Sequence, residues 1–218
     1  LDEQDRAAVD AKAKEALLSQ PDNAPVNWTS ERSGATATII PENTRTETRK
    51  VNVVRDAKVA PAGQLDLIGA RYRAKTNANI RLAPSQDADK VQTLPTGAPI
   101  WAVGKVAGKP WIMVAQKGKS VGYISADLIE PEPKVAAVPA SAKTSTPIQA
   151  SAAYDLDADA APIRAPADLD ALASGETKDV IEANVTCRDL KTTATAKGET
   201  STTKQTACRS PDGSWELG

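Results

Sequence analysis

Residues 187–208 read CRDLKTTATAKGETSTTKQTAC, and this stretch decides how the end of the chain folds. Cys187 and Cys208 are the only cysteines of the sequence, and their midpoint falls between Lys197 and Gly198. A two-residue turn with glycine in second place is typical of a β-hairpin. Counting outward from this turn places the cysteines opposite each other in a non-hydrogen-bonded pair, with Cα atoms about 4.5 Å apart. That separation suits a disulfide.

A bond between these cysteines would stabilise the fold by about 3 kcal/mol in the chain-entropy model. Disulfides persist in oxidising compartments, so the pairing also predicts where the protein resides. The alternative is two buried free thiols. It fits less well because the neighbouring residues are mostly polar.

The beginning of the chain has the pattern of a helix over residues 3–19. Asp2 suits the N-cap, acidic residues occupy the first turn, and Pro21 ends the helix. A thin apolar stripe, which includes Val9 and Leu17, predicts that one face packs weakly. Short strand-like segments follow at 26–30, 35–40 and 46–54.

The composition excludes several classes of function. The 218 residues include no His and no Phe, and 27 basic residues balance 28 acidic ones. Without His, the familiar nucleophile triads and His-containing zinc sites are excluded. The near-neutral charge argues against nucleic-acid binding, and no apolar run is long enough to span a bilayer. We therefore expect no enzymatic activity and no nucleic-acid partner.

Residues 71–130 differ from the rest of the chain in aromatic content and charge. Nine basic and four acidic residues give this segment a charge of +5, and glycines and Pro84 divide its apolar runs at short intervals. This spacing of turn signals predicts a small all-β barrel. Residues 131–180 are rich in Pro, Ala and Asp, which predicts an acidic linker.

Two ends of the chain resemble one known family. CRDL at 187–190, TACRSPDGSWEL at 206–217, LDEQDR at 1–6 and SGATATIIP at 33–41 resemble the rickettsial-type seventeen-kilodalton surface antigen family of outer-membrane lipoproteins. The resemblance implies a membrane anchor upstream of Leu1. It also implies that the intervening residues, about 52–180, are an insertion.

The insertion contains four motifs in the order found in bacterial SH3 domains. These are NIRLAPS at 79–85, KVQTLPTG at 90–97, KPWIMV at 109–114 and VGYISADLI at 121–129. The expected fold is therefore α+β, mostly β: a small helix-plus-antiparallel-sheet domain, closed by a disulfide hairpin and interrupted by an SH3-like β-barrel. The predicted domains are 1–51 with 181–218, a connection at 52–70, the barrel at 71–130, and the linker at 131–180.

Aromatic and basic residues of the SH3-like segment are the candidate ligand-binding residues. Bacterial SH3 domains resemble their eukaryotic namesakes, and some bind cell-wall peptides in an aromatic groove. An exposed Trp beside cations would suit the carboxylates of such peptides. For two of the aromatics, Trp111 and Tyr123, packing in the core is the stronger interpretation. The candidates are Trp101, Trp111, Tyr123, Arg81, Lys105 and Lys109.

The sequence predicts no metal site and no cofactor. Asp155, Asp157 and Asp159 have the spacing of the first three ligands of a calcium loop. Ala160 and Pro166 stand where that loop needs glycine and a bidentate glutamate, so the pattern is not a calcium site.

These observations predict a non-enzymatic protein of the bacterial periplasm or outer membrane. Its SH3-like barrel would bind peptidoglycan or an envelope protein. The alternative is a structural subunit or assembly factor of an envelope complex, in which the protein forms homo-oligomers.

Overall fold

The computed structural model describes residues 1–133 and 175–217, so most of the predicted linker, 134–174, lies outside the described residues. The acidic residues weighed as a calcium loop lie outside them too. The predicted helix is confirmed as α1, Glu3–Ser19. The Asp2 carboxylate caps it by accepting a hydrogen bond from the Asp5 amide at 2.9 Å. None of the described helices is long and apolar enough to cross a membrane.

In the described residues, twelve strands and one short 3-10 turn follow the helix. Before the undescribed segment lie β1 (Val26–Thr29), β2 (Thr36–Asp56), β3 (Gln64–Ala74), β4 (Ala78–Arg81), β5 (Lys90–Leu94), β6 (Pro99–Val106), β7 (Trp111–Gln116), β8 (Lys119–Ser125), the 3-10 turn Ala126–Leu128 and β9 (Ile129–Pro131). After it lie β10 (Glu176–Ala196), β11 (Glu199–Arg209) and β12 (Trp215–Leu217).

All twelve strands belong to one sheet, in the order β1-β2-β10-β3-β6-β7-β8-β4-β5, with β11 beside β10, β12 beside β11 and β9 beside β3. Strands make up 59% of the described residues, with one α-helix. The predicted fold, a small helix-plus-antiparallel-sheet domain closed by a disulfide hairpin and interrupted by an SH3-like β-barrel, is therefore wrong in its α+β class, whereas its mostly-β part fits. The physical reason is strand length. β2 and β10 each continue for 21 residues and reach the strands β3 to β9, which we call the SH3-like strands.

β10 joins the two parts of the sheet, which are also linked where Arg55 of β2 pairs in parallel with Ser120 of β8. β10 pairs with β2 in antiparallel register from Glu176↔Asp56 to Thr195↔Thr36. On its other side, its first half pairs in parallel with β3, and its second half pairs with β11. Leu1–Glu132 and Glu176–Gly218 accordingly form one compact unit.

The C-terminal hairpin has the predicted register. Cys187 pairs with Cys208 across β10 and β11, and Ala196 pairs with Glu199 beside the turn. The disulfide is confirmed, with a Cα–Cα distance of 4.0 Å. Lys197 and Gly198 both have positive φ, 53° and 83°, as a two-residue hairpin turn that follows the sheet twist requires.

The buried apolar residues of the described part of the chain form three clusters. The central cluster lies between the SH3-like strands and β10, and contains the disulfide together with Leu65, Met113, Trp111, Tyr123 and Val185. A second cluster lies within the SH3-like strands and includes Ile80, Ile100, Ile112, Val114 and Ile124. The helix-side cluster packs α1 on the sheet through Val9, Ala16, Leu17, Ala37, Ile39, Leu190 and Ala207.

Arg188 of β10 fixes the end of α1. Its side chain is buried, and its guanidinium donates to the carbonyls of Leu17 at 2.9 Å and Gln20 at 2.8 Å. It also pairs with Asp22 at 2.7 Å. The last carbonyls of a helix have no partner within it, so a buried cation here satisfies them and complements the helix dipole.

Candidate functional site

Two of the predicted ligand-binding aromatics lie in the central cluster. Trp111 of β7 is 8% exposed and Tyr123 of β8 is fully buried. The Tyr123 hydroxyl donates a hydrogen bond to the Ala60 carbonyl at 2.7 Å. Burial raises the pKa of Tyr123 well above its usual value, so the hydroxyl keeps its proton and its role as donor.

The three predicted cations lie at other places on the SH3-like segment. Arg81 of β4 donates to the Ala88 carbonyl at 2.7 Å. Lys105 lies near the end of β6 and Lys109 in the turn after it, and both are exposed. Within the described chain, none of the three lines the groove beside Trp101. The ligand-binding role predicted for these three cations stays a prediction.

Trp101 of β6 binds the C-terminal loop instead. It is half-buried against the central cluster, and its indole N–H donates to the Pro211 carbonyl at 2.9 Å. Gly213 lies against the ring: a Cβ there would be 3.0 Å from two indole carbons and 2.5 Å from the Gly69 carbonyl oxygen. A side chain at position 213 would therefore push the loop off Trp101.

Hydrogen bonds hold this C-terminal loop, residues 210–214, in shape. The Ser210 amide donates to the Ser214 carbonyl, and the Gly213 amide to the Ser210 carbonyl, both at 2.9 Å. The Asp212 carboxylate accepts from the hydroxyl and amide of Ser214 at 2.6 and 2.9 Å, which lowers the pKa of Asp212. Arg209 secures the loop by donating to the Gly69 carbonyl at 3.0 Å.

A groove of 490 Å³ opens between the SH3-like strands, β2 and this loop. We call it the Trp101 groove. Its apolar wall consists of Val53, Trp101, Val103, Ala115 and Pro211, and its polar residues include Asn52, Lys117, Asp212 and Glu216.

The charges of the Trp101 groove are of both signs. Lys117 lies at the turn between β7 and β8, whereas Asp212 and Glu216 belong to the loop and β12. Lys117 and Glu216 are exposed, and no ion pair to either is present among the described residues. An apolar wall between a cation and carboxylates suits a short peptide that carries an ammonium and a carboxylate.

One further cluster lies beside the disulfide. The Glu47 carboxylate is within 4.8 Å of both sulfur atoms. Metals bind cysteine as thiolate, and these two sulfurs are bonded to each other, so the cluster cannot hold a metal while the disulfide is intact.

Residues 210–214 and Lys117 were not among the site residues predicted from the sequence. Two local signals were present: the SPDG turn at 210–213 and the Lys117–Gly118 turn. Neither signal indicates that the loop lies on Trp101, because the bond between Trp101 and Pro211 joins residues 110 positions apart.

Comparison with known proteins supports one of the two resemblances. Residues 76–130 match the family model of the bacterial SH3 domain. No curated protein and no solved structure matches the chain, and the comparisons give no support for the resemblance to the surface antigen family. The identified part of the chain is therefore a bacterial SH3 domain at residues 76–130, the segment that supplies Trp101 and Lys117.

Proposed function

We propose that this is a non-enzymatic protein of the bacterial cell envelope that binds peptidoglycan through the Trp101 groove. Bacterial SH3 domains commonly bind peptidoglycan or cell-wall components, which supports this class of function. The lack of His in the whole sequence removes the commonest general base and supports a binding role.

The observation that carries the proposal is the chemistry of the Trp101 groove. The stem peptides of peptidoglycan carry carboxylates and a free amine on short aliphatic side chains. Lys117 would attract a carboxylate, Asp212 and Glu216 would attract the amine, and Val53 and Trp101 would contact the aliphatic part. This assigns recognition to residues other than the cations predicted from sequence.

The proposed location is the periplasm or the outer membrane. The disulfide supports an oxidising compartment, and the SH3 domain supports association with the envelope. The resemblance of the two ends to outer-membrane lipoproteins remains a hypothesis within this proposal.

Co-sedimentation of the full chain with purified sacculi tests the proposal. We expect the unmodified protein to sediment with sacculi and Lys117→Glu to lose most of that binding, about tenfold, because the cation of the groove becomes a repelling anion. Lys109→Glu makes the same charge change in an exposed turn outside the groove, and should bind normally.

Two results would contradict the proposal. One is absence of the unmodified protein from the sacculus pellet. The other is an equal loss of binding in Lys117→Glu and Lys109→Glu, which would show that total charge rather than the groove determines binding. Trp101→Ala is a poor probe because the indole also holds residues 210–214.

A further inference from the structure

Over most of its length, the outer side of β11 is a sheet edge that no other part of the described structure pairs with. β12 pairs with β11 only at Ala207, Cys208 and Arg209, so within residues 1–133 and 175–217 no strand lies beside residues 199–206 on that side. All residues from Glu199 to Gln205 are exposed. At about 3.3 Å per residue, this free edge is roughly 26 Å long.

The free edge lacks proline and bulges, two of the features that usually prevent a second strand from adding, and its acidic residue Glu199 lies at the turn end. Natural edges are protected by proline, bulges or charges that extend over the edge. β11 contains no proline, and its register with β10 has no bulge. Its one basic residue between 199 and 206, Lys204, turns onto the sheet face, where it pairs with Glu42 at 2.8 Å.

The hairpin register identifies which amides are free. Ala196 and Glu199 flank the two-residue turn and form a hydrogen-bonded pair, after which bonded and non-bonded pairs alternate. The N–H and C=O groups of the non-bonded positions therefore point away from β10. These positions are Thr200, Thr202, Lys204 and Thr206.

A groove of 800 Å³ runs along the same edge, on the face of the sheet that carries α1. We call it the helix groove. Val9, Ala13 and Leu17 of α1 form one wall, Leu190 and Ala194 of β10 form the floor, and Trp215 and Leu217 close one end. Along β11, every second residue from Glu199 to Gln205 lines it, and Thr200 lines it beside the turn.

The charges of the helix groove cancel. Its lining includes two basic residues, Arg6 and Lys14, and two acidic ones, Asp10 and Glu199. A strongly charged ligand would gain little there. Free backbone donors and acceptors beside an apolar groove instead match an extended, uncharged peptide whose alternate side chains are apolar.

We propose that β11 and the helix groove bind an extended segment of a partner protein as an added β-strand. The added segment pairs with β11 on the same side as β12, and it hydrogen-bonds to the amides of Thr200, Thr202, Lys204 and Thr206. Every second side chain enters the helix groove. This site is separate from the Trp101 groove and does not depend on the function proposed for it.

The test uses the full chain and a fluorescein-labelled peptide of eight alternating valines and threonines, flanked by lysines for solubility. We expect saturable binding by fluorescence anisotropy and slower hydrogen exchange at the amides of Thr200, Thr202 and Lys204. Thr202→Pro removes one outward amide but no bond to β10, so the hairpin should stay intact while affinity falls roughly tenfold. The matched control, Thr202→Ala, keeps the amide and should bind within about twofold.

A second pair of variants tests the helix groove. Ala13→Asp places a charge in its wall and should weaken peptide binding roughly tenfold, whereas Ala11→Asp changes an exposed residue of the same helix that does not line the groove. Equal affinities for Thr202→Pro and Thr202→Ala, or for the two aspartate variants, would overturn the proposal. So would light scattering that shows the free protein to be a dimer which Thr202→Pro dissociates, because a second copy would then be the occupant.

Discussion

The central cluster and the helix-side cluster hold the same sheet together by different means. The central cluster contains large side chains, among them Tyr123, Met113 and Leu65, and a covalent bond between β10 and β11. The helix-side cluster has seven buried members, of which three are alanines: Ala16, Ala37 and Ala207.

Polar contacts compensate where the apolar side chains are small. Arg188 bonds the end of α1. At its beginning, the buried Asp5 accepts hydrogen bonds from Ser30 at 2.8 Å and Ser33 at 2.7 Å. The comparison indicates that the helix is positioned mainly by charged hydrogen bonds, and the body of the sheet by packing and the disulfide. Three changes test this difference.

The largest effect is expected in the central cluster. Replacing both cysteines, Cys187→Ala with Cys208→Ala, releases a cross-link with a sequence separation of 21. The chain-entropy model then predicts a loss of about 3 kcal/mol in the free energy of unfolding. Urea denaturation of the double variant measures this. A loss below about 1 kcal/mol would mean that packing alone holds the hairpin.

A smaller effect is expected on the helix side from Arg188→Ala. It leaves two helix carbonyls and Asp22 without their cation, and should reduce the free energy of unfolding by about 2 kcal/mol. Hydrogen exchange should rise first in α1 and only later in β7. Arg6→Ala, at an exposed position of α1, is the control and should leave both unchanged. Equal acceleration in α1 and β7 would contradict a separate role for Arg188.

The smallest effect concerns pH. Hydrogen bonds from the hydroxyl and amide of Thr44, then from Arg188, lower the pKa of Asp22 to about 2 from 3.8. A carboxyl whose pKa is lower in the folded state stabilises the fold above its unfolded pKa, and this stabilisation is lost as pH falls. The free energy of unfolding should therefore decrease between about pH 5 and pH 2. Asp22→Asn should show a flatter decrease, and an unchanged slope would remove Asp22 as a cause.

Local patterns predicted the local parts of the structure. The Lys197–Gly198 turn fixed the register that pairs Cys187 with Cys208, and Asp2 with Pro21 fixed α1. Both depend on neighbours a few residues away, or on simple counting from a turn. The four motifs between residues 79 and 129 were also sufficient to identify that segment as a bacterial SH3 domain.

The long-range pairing of β2 with β10 could not be predicted from the sequence. Residues 42–56 and 176–186 are rich in charge and threonine, and nothing in them indicates that β2 and β10 pair for their whole length. The aromatic pattern singled out Trp101 but could not show that Pro211 and Gly213 cover part of it. The candidate cations Arg81, Lys105 and Lys109 do not line the groove beside Trp101. The sequence could not show this, because position along a strand does not reveal which loop folds over it.

The place of β10 between β2 and β3 has a consequence for how this protein can be re-engineered or recombined. Because β10 pairs with both β2 and β3, it cannot be removed together with only one of them. Residues 71–130 therefore cannot be exchanged between proteins as an independent unit. Transplanting residues 71–130 into another scaffold would divide β3 and leave behind residues 64–66, the part of β3 that pairs with residues 182–184.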